Sequence, residues 1–396
     1  MSNVTALKPL PSAAITAQFG KYTLLGELAS GGMARIYFAS IAGPGGFLKP
    51  CVVKKVLPEL QKQGDFSEMF VSEARVAALL NHPNIVQAFD FGQIDGDYFL
   101  ALEFVEGASL LDVIKECRRL GRAPDYSIAV TVGIALCEAL AYVHTARDPD
   151  GRPLNIIHRD LSPANVLVSS SGGVKLTDFG IVKSSASAVL SRPDVLKGKL
   201  LYMSPEQVER RSLDGRSDLY SLGLLLYELT TLLRPLSRAT LDQSIVAVRA
   251  AQVTPPSEMV PGFPPELERI LMKVLEKSPA DRYVNAKAMQ AELEAFRSEQ
   301  RWTSGTNELA KLLQTLFPDG APTSPTRLQP LNVTQVGFTR NERSSQAIDF
   351  VESIDIISEQ QAFPPGSERS QHWKEIVLLI LVGLTTSVAI WLLALS

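Results

Sequence analysis

Cysteine is scarce in this chain: Cys51, Cys117 and Cys137 are the three thiols among 396 residues. An odd, scattered set without metal-ligand spacing excludes a disulfide scaffold and a zinc framework, and predicts reduced thiols in a cytosolic domain. Strong charge is missing too. A net charge of −3 leaves no basic footprint, which excludes nucleic acid as the expected partner. The N-terminal MSNVTALKPLPSAAITAQFG holds no long apolar run, so no signal peptide is expected. What the chain does have is apolar content of 45% against 20% charged residues, enough for a buried core over most of its length.

One apolar run stands apart. Residues 376–396, IVLLILVGLTTSVAIWLLALS, carry no charge. At a rise of about 1.5 Å per residue, about 20 residues span the roughly 30 Å hydrocarbon layer of a bilayer. Trp373 and Trp391 sit near the two ends, where interfacial aromatics belong. The pattern predicts a single C-terminal transmembrane anchor over 373–396; a buried core helix is the competing reading of such a run. Arg369 and Lys374 flank the N-terminal side only, so the preceding chain is expected in the cytoplasm, tethered to the inner (plasma) membrane.

Between the termini, residues 1–20 read as a flexible leader, and 21–317 as the folded part with no obvious repeat. The early segments YTLLGEL, ARIYFAS, CVVKKVL and YFLALEFV are short and rich in branched and aromatic residues, which predicts strands. The later SIAVTVGIALCEALAYVHTA, LYSLGLLLYELTTLL and ELERILMKVLEK have apolar residues at helical spacing. Strands first and helices after imply an α+β, two-lobed architecture. From 318 to 372 the composition turns polar and Pro/Ser-containing, which predicts a mostly disordered linker.

Several short motifs then follow one another in order: ELASGGMARIYFA, CVVKK, YFLALEFVEG, HRDLSPAN, KLTDFG and YMSPEQ. Together they resemble the eukaryotic-like (Hanks-type) Ser/Thr protein kinases, in particular the bacterial membrane-anchored ones, over a core of about residues 22–296. The resemblance implies a β-rich lobe, a helical lobe, and ATP with Mg²⁺ between them. Gly31 and Gly32 would form the loop over the phosphates, with Ala29 and Ala34 where the first and third glycines usually stand. Leu28, Ile36 and Leu167 would enclose the adenine, and backbone groups of Glu103 and Val105 would bond it. Lys54 would hold the α/β-phosphates and pair with Glu73. Asp160 would take or orient the substrate proton, and Asn165 and Asp178 would hold Mg²⁺ through hard oxygens. Glu206, Asp218 and Arg282 would be structural. The segment containing Glu206 argues against the small-molecule kinases, which lack it.

Two further positions depart from the pattern. Two residues past Asp160, where the family carries Lys, stands Ser162; and where the family has Gly-Thr before the YMSPE segment, this chain has Gly198-Lys199. The two partners thus occur with residue types exchanged, and Lys199 is expected to supply the missing cation at the transferring phosphate. In regulation, the resemblance implies that Arg159 and Lys183 receive a phosphate on the activation segment. Ser191 is the expected acceptor and trans-autophosphorylation in a homodimer the expected route. The activity implied is phosphoryl transfer from ATP to Ser/Thr of protein substrates. The alternative is a catalytically silent scaffold at the membrane, for which Ala29, Ala34, Ser162 and Lys199 speak.

Overall fold

The computed structural model describes residues 17–61, 64–148, 150–179, 198–303 and 305–324, without the side chains of 61–69 and of Glu73. Five antiparallel pairings build the first sheet from β1 (Ala17–Phe19), β2 (Tyr22–Ser30), β3 (Ala34–Ala42), β4 (Leu48–Val56), β5 (Ala88–Ile94) and β6 (Asp97–Glu103), in the order β1-β2-β3-β4-β6-β5. Side chains alternate across a strand, so neighbours in sequence serve opposite faces. Phe99 and Ala101 join Phe19, Tyr22, Leu24, Tyr37, Cys51 and Val53 on one face. Leu100 goes to the other, with Val56 and Ala88, where Phe70, Ala74 and Ala77 of helix α2 (Gly64–Leu79) cover it. A short α1 (Pro58–Gln61) precedes that helix. Full burial of each large side chain contributes about 1.5–3 kcal/mol, so both faces of the small lobe are fixed by sequence period alone.

The second lobe is helical. Strand β7 (Gly107–Ser109) leads into α3 (Leu110–Leu120), whose first turn is capped by Ser109 and whose end is turned by Gly121 in the left-handed region. Helix α4 (Tyr126–His144) is apolar nearly all round and lies buried at the centre of this lobe. By length and composition it could cross a membrane, but two thirds of it is enclosed by protein. Strands β8 (Val166–Ser169) and β9 (Val174–Leu176) complete a small sheet with β7. Then come α5 (Pro205–Val208), α6 (Gly215–Thr231), α7 (Leu241–Ala250), α8 (Pro256–Met259), α9 (Pro265–Val274), α10 (Ala286–Glu299) and α11 (Thr306–Leu316). Helix α6 packs on α4, and α10 on α4 from another side. The two-lobed α+β arrangement expected from the order of strands and helices is the one observed. All three cysteines are buried, and burial pushes the Cys51 and Cys117 thiols up to about 11.

Two expected boundaries shift. The leader expected over 1–20 stops earlier, because Ala17–Phe19 pairs with β2 and Phe19 enters the core. The linker expected from residue 318 starts later, because two turns follow Phe317 and Thr323 hydrogen-bonds to the chain between the lobes. Polar, Pro-containing composition gave no signal of that docking. The remaining linker and the expected membrane anchor at 373–396 lie outside the described residues.

Candidate active site

The β8–β9 hairpin sets the distance between two functional residues. Val166 pairs with Leu176, and one step outward the Thr177 N–H donates to the Asn165 carbonyl at 2.9 Å. Asn165 and Asp178 therefore leave the ladder at the same end. Asn165 Nδ2 donates to the Asp160 carbonyl at 2.8 Å and to its Oδ2 at 2.9 Å, which leaves the amide oxygen of Asn165 as the acceptor for a cation. Lys199 Nζ approaches the same Asp160 Oδ2 at 3.1 Å. Its backbone is held in place by Leu200, Leu201 and Tyr202, all buried, and by the Tyr202 N–H bonding the Lys199 carbonyl at 3.1 Å. Asp160 is nine-tenths buried.

The loop before Asp160 is clamped from below. Asp218, buried in α6, accepts the His158 N–H at 2.8 Å, the Arg159 N–H at 2.9 Å and His144 Nε2 at 2.8 Å. Burial would raise this carboxyl, but the hydrogen bond from His144, with the nearby His158 and its backbone N–H, holds it below the usual range. Gln207 Nε2 donates to the Arg159 carbonyl at 2.9 Å. His158 rests against Phe179, ring centroids 4.8 Å apart, and faces the Thr177 carbonyl, so it packs rather than reacts. Arg159 and Asp178 both take the left-handed backbone, at φ 64° and 56°. Non-glycine residues adopt it rarely, and such positions cluster where the backbone must aim a functional group.

From the small lobe comes Lys54, on β4 between Ile36 of β3 and Leu100 of β6 in register. Its Nζ lies 2.7 Å from Asp178 Oδ1. Burial pushes the Asp178 carboxyl upward; Lys54 outweighs it, with a smaller contribution from Lys199, and the net direction is downward. The site thus holds an ionised carboxylate, a cation from each lobe, and a buried Asp160 with two polar partners.

A family model for the protein kinase domain matches residues 22–293. The chain belongs to the protein kinase family. It is 38% identical over 313 residues to the tyrosine-protein kinase MasK of Myxococcus xanthus, covering 79% of this chain and 48% of that one. It is 35% identical over 286 residues to a probable serine/threonine-protein kinase of Clostridium perfringens, covering 72% and 39%. The serine/threonine-protein kinase PknL of Mycobacterium tuberculosis is 34% identical over 293 residues, covering 74% and 68%. The chain thus matches half or less of the first two relatives' length. Among solved structures, the kinase domain of Mycobacterium tuberculosis PknI superposes with a TM-score of 0.53 at 25% identity, over 72% of this chain and 99% of that one.

The remaining kinase positions fall as follows. Leu28, Ile36 and Leu167 are half-buried, the first two on β2 and β3 of the small lobe and the third on β8 of the large one. Gly31 and Gly32 form the exposed β2–β3 tip, and a Cβ on Gly32 would meet nothing within 4 Å. The fold does not require glycine there, so the open space suits close approach of phosphates. Together with the oxygens of Asn165 and Asp178, these residues fit ATP and Mg²⁺. Glu206 and Arg282 form a bidentate pair at 2.7 and 2.9 Å, both nearly inaccessible, and Ser217 adds a third bond at 2.7 Å. Arg282 spends its other donors on the carbonyls of Glu276, Lys277 and Arg216.

The Glu73 side chain, Lys183 and Ser191 lie outside the described residues. Sequence reasoning missed the ion pair of Lys175 with Glu103, at 2.7 Å, which ties the connecting chain to β9. It also missed Gln207 on Arg159 and Thr323 on the connecting chain. An exposed-looking Lys, Gln or Thr gives no periodic signal, so nothing in the sequence pointed to them.

Proposed function

We propose that this kinase transfers the γ-phosphoryl of ATP to Ser or Thr hydroxyls of proteins, and autophosphorylates. The observation that carries the reading is the convergence on one cleft of Lys54 with Asp178 and of Lys199 and Asn165 with Asp160. Asp160 accepts the hydroxyl proton as the new O–P bond forms and the bond to the β-phosphate oxygen breaks, so ADP leaves. Lys54 orients the phosphates. Mg²⁺, when bound by Asn165 and Asp178, neutralises charge on the phosphate oxygens. Lys199 replaces the cation that Ser162 lacks, stabilising charge gathered in the transition state from the opposite loop.

Ser/Thr specificity is supported by the sequence LSPAN and by the names of several relatives. Tyrosine transfer is the second reading, because the 38% identical Myxococcus protein is named a tyrosine-protein kinase. Radiolabelled transfer by the full chain and its Asp178→Asn variant, followed by phosphoamino-acid analysis, tests both. Label lost in the variant and found on Ser or Thr supports the proposal. Label on Tyr favours the second reading, and no label in either protein identifies a silent scaffold.

The uncharged run 376–396 supports a C-terminal membrane anchor with the kinase domain on the cytoplasmic side. Resistance of the full chain to carbonate extraction, lost on truncation before residue 373, is the expected result. Phosphate acceptance by Ser191 opposite Arg159 and Lys183, in a transient homodimer, completes the proposed regulation; phosphopeptides lacking residue 191 in active protein would remove it.

A further inference from the structure

The match to the protein kinase domain ends at residue 293, yet the chain goes on to build structure against the large lobe. Trp302 stands edge-on to Phe296, centroids 5.3 Å apart. Helix α11 then buries Leu309, Leu313 and Leu316 in the main core. Its start is seated tightly: a Cβ on Gly172 would come within 1.9 Å of the Thr306 carbonyl oxygen, and one on Gly305 within 2.2 Å of Thr131 Oγ1. Two successive turns follow, closed by Gly320 N–H to Phe317 carbonyl at 3.0 Å and Ser324 N–H to Ala321 carbonyl at 2.8 Å.

These turns deliver Thr323 to the chain that joins the lobes. The Gly107 N–H donates to Thr323 Oγ1 at 2.7 Å. The Thr323 hydroxyl faces the Gly107 carbonyl at 2.8 Å and the Val105 carbonyl at 3.1 Å, sharing its one proton between them. The Thr323 N–H donates to the Gly107 carbonyl at 3.1 Å. A single residue therefore engages both peptide groups of Gly107 and the carbonyl of Val105. Gly107 is closely packed as well: a Cβ there would lie 1.9 Å from the Val168 carbonyl oxygen.

We infer that residues 317–324 are a strap across the lobe connection, and that Thr323 is a positioning residue for the nucleotide base. The inference rests on the reading of this cleft as an ATP site, in which Val105 offers its backbone to adenine. With the Val105 carbonyl held by the strap, the peptide planes that face the base are fixed before it arrives, and preorganised partners lose less freedom on binding. The phosphates, held by Lys54 and the metal ligands, do not feel the strap.

The test uses the full chain and the variants Thr323→Val and Thr323→Ser. For Thr323→Val, the KM for ATP and the calorimetric Kd for MgADP should rise about three- to tenfold, the scale of one net hydrogen bond, with kcat within about twofold of wild type. Inhibition by magnesium tripolyphosphate, which has no base, should be unchanged. Thr323→Ser, which keeps the hydroxyl, should bind as wild type does. Equal MgADP affinity of Thr323→Val and wild type overturns the inference. So does equal weakening in Thr323→Ser, or a parallel loss of tripolyphosphate affinity. A wild-type protein that binds MgADP but transfers no phosphate sinks the proposed catalysis and leaves the strap testable by calorimetry.

Discussion

Lys199 lies 3.1 Å from the carboxylate of Asp160, and Ser162, two residues past that Asp, occupies the family's lysine position. A cation on the substrate-side loop and a hydroxyl on the catalytic loop occupy the places where the family has the reverse. Position, and not the loop of origin, decides whether a charge stabilises a transition state.

Lys199→Ala should therefore lower kcat by roughly 100-fold with little change in the KM for ATP, the scale of losing one preorganised donor. Ser162→Lys combined with Lys199→Thr should recover most of the turnover. Steady-state kinetics on the three proteins decides it: full turnover in Lys199→Ala refutes the exchange.

Asp178→Asn should abolish the magnesium dependence of nucleotide binding. An amide cannot match a carboxylate as a ligand for a hard cation, and it loses the charge that Lys54 meets at 2.7 Å. Calorimetric titration of ATP with and without Mg²⁺ reads this directly, and an undiminished magnesium effect in the variant would exclude Asp178 as a ligand.

Arg282→Met should cost about 3–5 kcal/mol of unfolding free energy, because it strands the inaccessible Glu206 carboxylate. Adding Glu206→Gln should return a large part of that loss. The pair also sets an acid limit. Burial tends to raise the Glu206 carboxyl, but Arg282 and Ser217 together hold it below its ordinary 4.5. A carboxyl depressed on folding contributes stability that is fully present above 4.5 and is lost as pH falls through its lower folded value. The urea midpoint of wild type should fall below that pH, and in Glu206→Gln this part of the pH dependence should vanish.

Gly107→Ala should destabilise by about 1–3 kcal/mol or more, since the obstacle 1.9 Å from the new Cβ is the backbone oxygen of Val168 and cannot rotate aside. Denaturant midpoints of the variant and wild type check it; an unchanged midpoint would show that β7 yields freely.

The fold was legible because its signals are periodic. Alternation sends Phe99 and Leu100 to opposite faces of one sheet, and the apolar circumference of 126–144 can only be a buried helix or a membrane span. Much of the site was legible as well, because HRDLSPAN and KLTDFG are local strings whose members the β8–β9 hairpin brings together. What could not be read were partnerships between distant, unpatterned residues. Lys175 with Glu103, Gln207 with Arg159 and Thr323 with Gly107 depend on tertiary approach, and each side chain alone resembles ordinary surface. The linker boundary failed for the same reason: composition reports whether a segment can form its own core, not whether it can lie on another.

Asp160, its two polar neighbours and the Asp218 clamp all ride on the large lobe, whereas Lys54 reaches Asp178 from the small one. Swinging the lobes apart to exchange spent nucleotide for fresh would strain that cross-cleft contact while the proton acceptor travels with its retinue undisturbed. On the catalytic role proposed above for Asp160, each round would then begin with that carboxylate already held in place.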